Sequence, residues 1–192
     1  EAFLFMKTIR FIILFAVALG QAALGHAELR AGIAVRVVTP EPLLPVSGGV
    51  GPSNPVTQKK GDLTVRALVL ENGGTRVAFV STDFLGFPAV LGDRVRRQVK
   101  SIPAAHILIG ATHTHSAPDC YGFPNGRGGT DADLEYLNFV CNKAAEAINE
   151  AVAGLQPASL RIATGKANGK IAYNYYAPQL YDPRCNVMQA IG

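Results

Sequence analysis

The sequence predicts an α/β fold in which a mixed β-sheet is flanked by helices, and three features indicate it. Short apolar runs of strand length alternate with two segments of helical periodicity, at 88–101 and 130–155. An Asn72-Gly73 pair between two strand-like runs is typical of a β-hairpin, which makes neighbouring strands antiparallel. A strand–helix–strand unit follows, which makes other neighbours parallel. The sheet is therefore predicted to be mixed.

The first half of the chain supplies the hairpin. Residues 28–38 are a plausible first strand, and 39–58 are so rich in Pro and Gly that we expect a long ordered loop or cleft wall. Residues 63–70 form the next predicted strand, and 75–81 return as its partner.

A helix is predicted next over 88–101, with Pro88 in its first turn and Pro103 ending the segment. The residues expected to face the core are Val90, Leu91, Val95 and Val99. The apolar run that begins at His106 is the right length for a buried strand, and it completes the strand–helix–strand unit.

The second half begins with the long amphipathic helix. Thr130-Asp131-Ala132-Asp133 is a favourable helix start, and Gly154 and Pro157 stop the helix. Its apolar positions recur at three- and four-residue spacing and are Leu134, Leu137, Cys141, Ala144, Ile148, Val152 and Leu155. A strand at 158–164, a tyrosine-rich loop at 165–183 and the start of a strand at 185–191 follow.

The N-terminus has the pattern of a signal peptide. Met6 to Arg10 is a basic segment, Phe11 to Leu24 is apolar, and Gly25-His26-Ala27 matches a small-x-small cleavage site. We therefore assign 1–27 to a signal peptide with a short upstream extension, and 28–192 to the mature domain. The protein is expected to be secreted or periplasmic, without a transmembrane segment after cleavage. An uncleaved membrane anchor is the alternative.

The charge of the chain bears on whether it binds nucleic acid. Removing two basic residues and one acidic residue with the leader lowers the net charge from +4 to +3, and no polybasic run is present. Nucleic acid is therefore not an expected partner.

The three cysteines, Cys120, Cys141 and Cys185, are an odd number in an exported chain, so one disulfide is allowed and at least one thiol has no partner within this chain. Oligomeric state does not follow from the sequence.

Candidate site residues follow the strand at His106. His113 and His115 lie two apart just past this strand, and in an extended chain both imidazoles face one cleft. Imidazole binds metal ions and also serves as a general acid or base. Two loop histidines that only cap backbone groups are the alternative. Asp83 ends the preceding strand and is a second cleft candidate, or else a helix N-cap or turn former.

The blocks Ala111-Thr112-His113-Thr114-His115-Ser116-Ala117-Pro118-Asp119 and Val77 to Gly86 (VAFVSTDFLG) resemble the N-terminal catalytic domain of the neutral/alkaline ceramidases and their bacterial relatives. The resemblance extends over about residues 30–192, and it implies that the chain is part of such a domain. That family consists of zinc hydrolases that cleave the amide bond of ceramide. By this resemblance, Zn²⁺ is the expected cofactor, a lipid-like amide is the expected substrate, His113 is a zinc ligand and His115 stabilises the developing oxyanion.

Three departures from the ceramidase pattern are visible. The remaining zinc ligands of that family, a His, a Glu and a Tyr, lie further downstream than Gly192. Gly61 stands before Asp62 where the family often has a His. Tyr175 follows Asn174 where ceramidases carry an arginine that faces the active site. Tyr175 is therefore a candidate substrate-binding residue, and the tyrosine cluster around it is either a packed aromatic loop or the rim of a cleft.

Two other functions compete with this hypothesis. A metal-dependent amidohydrolase barrel also uses His-x-His at a strand end, but there the pair lies on the first strand, whereas about three strands precede it here. A secreted binding or structural domain that retains the fold without the chemistry is the alternative from another class. Metal content discriminates, because one or two ligands hold zinc weakly.

Overall fold

A computed structural model describes residues 28–169 and 171–192. The predicted signal peptide lies outside the described residues. The main sheet has five strands in the order β4-β3-β2-β1-β5. These strands are β1 (Arg30–Val37), β2 (Thr64–Asn72), β3 (Thr75–Thr82), β4 (Ile107–Ala111) and β5 (Gln156–Pro157). The pairs β1–β2, β2–β3 and β1–β5 are antiparallel, whereas β3–β4 is parallel. The prediction of a mixed sheet in an α/β fold is confirmed.

The turn between β2 and β3 is one residue later than the Asn-Gly signal indicates. Asn72 is still in the ladder, paired with Thr75, so the two loop residues are Gly73 and Gly74. Their φ angles are +57° and +79°. A tight two-residue hairpin of this hand requires positive φ at both positions, which glycine adopts without steric cost.

Two helices, α1 (Ala89–Gln98) and α2 (Leu134–Ala153), lie against the sheet. The Asp133 carboxylate caps α2 by accepting a hydrogen bond from the Tyr136 amide at 2.9 Å. Helix α1 ends earlier than predicted, because Val99 is already extended. Two residues assigned to the core are exposed instead. Val90 is one position off the stripe defined by Leu91 and Val95, and Leu134 is the first residue of α2, before its buried stripe begins.

One apolar core lies between the helices and one face of the sheet. Its fully buried members include Val38, Val65, Val69, Phe84, Val95, Val140, Cys141 and Ile148. Strand β1 approaches α2 closely at Gly32, where a Cβ atom would overlap the carbonyl oxygen of Ala151. Glycine at this position therefore lets backbone pack against backbone.

Among the described residues, no helix combines the length and apolar composition needed to cross a membrane.

The opposite face of the sheet is largely apolar, and neither helix of the described residues packs on it. Ile33 is 74% exposed and Leu108 is 63% exposed. One shallow depression on this side is lined by Ile33, Val35, Leu68, Phe79 and Leu108, together with the polar residues Arg66 and Ser81. We call this surface the open sheet face. Strands that are apolar on both faces are typical of sheets covered on both sides.

A separate two-stranded ribbon is formed by β6 (Ser159–Lys166) and β7 (Arg184–Ile191), which pair antiparallel over their full length. Both strands were predicted, although β6 runs two residues further than expected.

The three cysteines are free thiols. Cys120 and Cys141 are buried, and burial raises the pKa of both thiols.

Candidate active site at the end of β4

The candidate site begins where the parallel strands β3 and β4 end together. The Thr82 hydroxyl donates to the Gly110 carbonyl at 3.1 Å, and the Thr112 amide donates to the Thr82 carbonyl at 3.0 Å. Thr82 is fully buried, so the two strand ends are tied from inside the protein. The loop that carries the histidines therefore leaves the sheet from a fixed point, at the carboxyl edge where α/β proteins bind ligands.

His113 lies just past β4, as expected, but its backbone is not extended. Its φ is +61°, and among the described residues it is the only residue other than glycine with positive φ. This backbone turn brings Nδ1 of His113 to 2.7 Å from the carbonyl oxygen of Leu85. The expectation of an extended His-x-His segment was therefore wrong at this residue, because a contact with a different segment determines its conformation. The two rings nevertheless meet edge to face, with centroids 5.4 Å apart.

The Leu85 carbonyl is itself held in place by its neighbours. Phe84 is fully buried in the core before it, and the Gly86 carbonyl after it accepts a hydrogen bond from the Cys120 thiol at 3.1 Å. The Tyr121 hydroxyl lies directly against Gly86, in the space that a Cβ atom would occupy. The acceptor for His113 is thus part of a packed segment, which fixes the direction of the imidazole ring.

His115 lies in a short turn and is exposed, like His113. The Thr114 hydroxyl accepts a hydrogen bond from the Ser116 amide at 3.2 Å, which curls the loop around His115. On one side the ring contacts the backbone at Gly48. The preceding residue, Ser47, donates from its amide to the Ala117 carbonyl at 2.8 Å.

Asp119 organises the loop after the histidines, a role that the sequence analysis did not assign. Its side chain is buried, and its two oxygens accept hydrogen bonds from the amides of Tyr121 (2.8 Å), Gly122 (3.1 Å) and Phe123 (2.8 Å). An aspartate directly before a glycine-containing loop is the sequence signal for such a turn. The loop that follows the histidines is therefore anchored at its start.

Asp83 follows β3 at this same edge of the sheet and contacts the first residue of β2. Its Oδ2 accepts hydrogen bonds from the Thr64 amide at 2.9 Å and the Thr64 hydroxyl at 2.7 Å, and Arg66 lies 3.2 Å from Oδ1. Partial burial opposes ionisation, but the bonds from Thr64 and the charge of Arg66 outweigh it and hold the pKa of Asp83 below its usual value. Asp83 thus ties β3 to β2, and none of its hydrogen bonds within the described residues leads to a histidine.

Tyr175 lies in the loop between β6 and β7. Its side chain is 77% exposed, and its ring packs edge to face on Tyr176, with centroids 5.3 Å apart. The loop is shaped by Asn174, whose side-chain oxygen accepts from the amides of Tyr176 and Ala177, both at 3.0 Å. Within the described residues, no hydrogen bond of the Tyr175 side chain joins it to the histidines or to Asp83.

The donor set tests whether the described residues fit a zinc ion. His113 can act as a zinc ligand. Its Nδ1–H donates to a carbonyl oxygen, which leaves the lone pair of Nε2 free to bind a metal ion. In the described ranges, however, no group of three or more His, Cys, Asp or Glu side chains is placed to hold a metal ion. A catalytic zinc site uses three protein ligands, so these residues supply one oriented ligand and not a complete site.

Three comparisons with known proteins bear on the fold. No protein-family description matches the chain, and no curated protein matches it. Solved structures do match. A neutral ceramidase from Pseudomonas aeruginosa superposes with a TM-score of 0.61 at 18% identity, and a ceramidase complexed with C2 superposes with a TM-score of 0.62 at 20% identity. In both cases the match covers 85% of this chain and 29% of the other. The chain therefore shares the fold of part of a ceramidase.

Proposed function

We propose that this chain forms the N-terminal part of the catalytic domain of an exported, zinc-dependent hydrolase that cleaves a linear amide in a ceramide-like N-acyl lipid. His113 is the proposed zinc ligand, and His115 is the proposed oxyanion stabiliser. The observation that carries the proposal is the bond between His113 Nδ1 and the Leu85 carbonyl, at the carboxyl edge of a ceramidase-like sheet.

The orientation of His113 supports a role as ligand. A carbonyl oxygen can only accept, so Nδ1 carries the proton and Nε2 is the donor atom available to a metal. An exposed histidine that only caps backbone would satisfy one nitrogen in the same way. The left-handed backbone that makes this contact costs roughly 1–2 kcal/mol for a residue other than glycine, and such a cost favours a functional role. Strain of this kind is concentrated at functional sites.

His115 suits the second role because its ring lies beside that of His113. Bound zinc would polarise the amide carbonyl and lower the pKa of a bound water to about 7. A hydrogen bond from His115 to the carbonyl oxygen would stabilise the negative charge that develops there when water adds. The products of the reaction are a carboxylic acid and an amine. Zinc ligands besides His113 are proposed to come from outside the described residues, since the chain spans only 29% of the length of the ceramidases it resembles.

The test is to express the complete natural gene product and to measure zinc by mass spectrometry and hydrolysis of a short-chain fluorescent ceramide. His113→Ala should lose zinc and activity together, because a first ligand is removed. His115→Ala should keep zinc and lose rate by about 100-fold, the usual effect of removing one oxyanion donor.

His106→Ala is the matched control. Its Nδ1 also lies near a backbone carbonyl, that of Arg76 at 3.1 Å, but it sits at the opposite end of β4. This variant should keep both zinc and activity. Stoichiometric zinc in His113→Ala would overturn the assignment of the ligand. A protein that binds no zinc at all would instead be a secreted binding or structural domain that retains the fold.

A further inference from the structure

We infer that Gly48 is a positioning residue for His115: the absence of a side chain at 48 allows the backbone there to lie against the imidazole and fix its place. The functional consequence rests on the role proposed above for His115. The packing itself does not, and it can be tested separately.

The contact between the two residues is close. A Cβ atom built at Gly48 would lie 2.9 Å from Cβ of His115, 3.1 Å from Nδ1 and 3.2 Å from Cγ. Carbon atoms in contact prefer a separation of about 3.5–4.0 Å. An alanine at 48 therefore forces movement, and because the shortest distance is to Cβ, rotation of the ring about χ1 does not relieve the overlap. The histidine loop or the glycine segment must shift as a whole.

The glycine segment is not free to move away. The Ser47 amide is bound to the Ala117 carbonyl, and the two residues form an antiparallel bridge just after the histidine. A second bridge joins Val46 to Asn54, with hydrogen bonds of 2.9 Å and 2.8 Å in the two directions, and closes the loop between them. Ser47 is 2% exposed and Ala117 is 1% exposed, so the bridge beside Gly48 is inside the protein. The two segments therefore cannot separate to relieve the overlap, so the local geometry of the exposed turn at His115 has to change.

The chain contains its own control for this contact. Gly49 follows immediately and has no heavy atom within 4 Å of the position its Cβ would take. Neither Gly48 nor Gly49 has the positive φ that would strain an alanine. Both Gly→Ala substitutions therefore restrict the unfolded chain equally. A difference between them reports the contacts at position 48, of which the three shortest are to His115.

The experiment uses the full chain and observes the histidine rings by two-dimensional ¹H–¹³C NMR at one fixed pH. The His115 ring resonances should move in Gly48→Ala and stay in place in Gly49→Ala, while the His106 resonances stay in place in both. In the unmodified chain, a nuclear Overhauser effect should join the Gly48 α-protons to the β-protons of His115. This last measurement needs no variant, and so it holds even where Gly48→Ala fails to fold. Its absence, or equal His115 shifts in the two variants, would overturn the inference.

A double-mutant comparison identifies the partner. In a His115→Gly background both the Cβ and the ring are gone, so the unfolding midpoints of Gly48→Ala and Gly49→Ala should coincide. In the unmodified background Gly48→Ala should unfold at the lower denaturant concentration. A difference that persists without the His115 side chain would assign the cost to another neighbour and refute the pairing.

Activity separates this inference from the proposed function. In a hydrolytically active protein, Gly48→Ala should lower kcat by up to about 100-fold, the cost of misplacing a reacting group by about 1 Å, with KM little changed. If the NMR contact is present and the protein hydrolyses no amide, the packing is right and the proposed function is wrong. If the protein is active and the two alanine variants have equal kcat, the positioning role is wrong and the function stands.

Discussion

Nδ1 of His113 lies 2.7 Å from the carbonyl oxygen of Leu85, a residue 28 positions earlier in the chain. This contact fixes the tautomer of the neutral ring. We expect long-range ¹H–¹⁵N correlations to show the proton on Nδ1 and the lone pair on Nε2. His115 makes no such bond within the described residues and should show the mixture of tautomers typical of a solvated ring. A proton on Nε2 of His113 would contradict the hydrogen bond.

The positive φ of His113 predicts an unusual order of stability at this position. Glycine adopts φ near +61° without steric cost, whereas alanine does not. His113→Gly should therefore be about 1 kcal/mol more stable than His113→Ala in denaturant unfolding. At His115, whose φ is ordinary, the order should reverse by about 0.5 kcal/mol because glycine loses more entropy on folding. The same order at both positions would contradict a strained backbone at His113.

Asp83 predicts a loss of stability in acid. Its pKa is lower in the folded protein than in the unfolded chain, so the ionised carboxylate stabilises the fold above the unfolded value of about 3.9. That stabilisation is lost as the pH falls through the folded-state pKa. Asp83→Asn should lower the free energy of unfolding by about 2 kcal/mol at pH 7, and the difference from the unmodified protein should shrink towards pH 2.

Asp93→Asn serves as the control for Asp83→Asn. Within the described residues, the Asp93 side chain forms an ion pair with Arg96 and no other, and it is exposed, so the pair contributes little to stability. Urea unfolding of both variants across pH 2–7 is the measurement. A constant difference for Asp83→Asn over the whole range would show that the carboxylate is not stabilised by ionisation.

Substitutions of Asp119 should lower the free energy of unfolding by an amount that depends on how many side-chain oxygens they remove. Asp119→Ala leaves three backbone amides without their acceptor and should lower the free energy of unfolding by about 3 kcal/mol. Asp119→Asn keeps one oxygen and should cost less, since the amides of Tyr121 and Gly122 share Oδ1. Equal stability of the two variants would mean that the carboxylate does not organise this loop. Hydrogen exchange at Tyr121, Gly122 and Phe123 should accelerate in the alanine variant.

Replacing Ser47 by alanine should have almost no effect on the free energy of unfolding. Its hydroxyl is buried and, within the described residues, has no hydrogen-bond partner. Ser47→Ala removes a polar group that the fold does not satisfy, so the free energy of unfolding should stay the same or rise by up to about 1 kcal/mol. The amide that bridges to Ala117 is kept in this variant. A clear loss of stability would reveal a partner for the hydroxyl.

Local patterns were enough to predict most elements of the fold. The strands, the hairpin and the long helix follow from residue periodicity and turn residues, which act over a few positions. The errors at Val90 and Leu134 have another cause, because the phase of a buried stripe at a helix end depends on what the helix packs against. The open sheet face was also not predicted, since alternation does not tell which apolar side will be covered.

The candidate site was less predictable, because its geometry depends on contacts between segments that are far apart in the sequence. The sequence indicated His113 and His115 as a pair, but their geometry depends on Leu85 and Gly48, which come from two distant loops. No pattern around the histidines signals either contact. Asp83 illustrates the opposite case: a carboxylate at a strand end matched the expectation for a cleft residue, yet its hydrogen bonds are used to hold β2 and β3 together.

The open sheet face has a consequence for the chain in solution. Side chains such as Ile33 and Leu108 expose apolar surface on rigid strands, interrupted by Arg66 and Ser81, and large exposed apolar surfaces bind one another. The described residues fold without covering this surface, so it stays available for association in the folded state. Its association should grow with protein concentration and with added sulfate, and it should weaken on cooling, as apolar contact does.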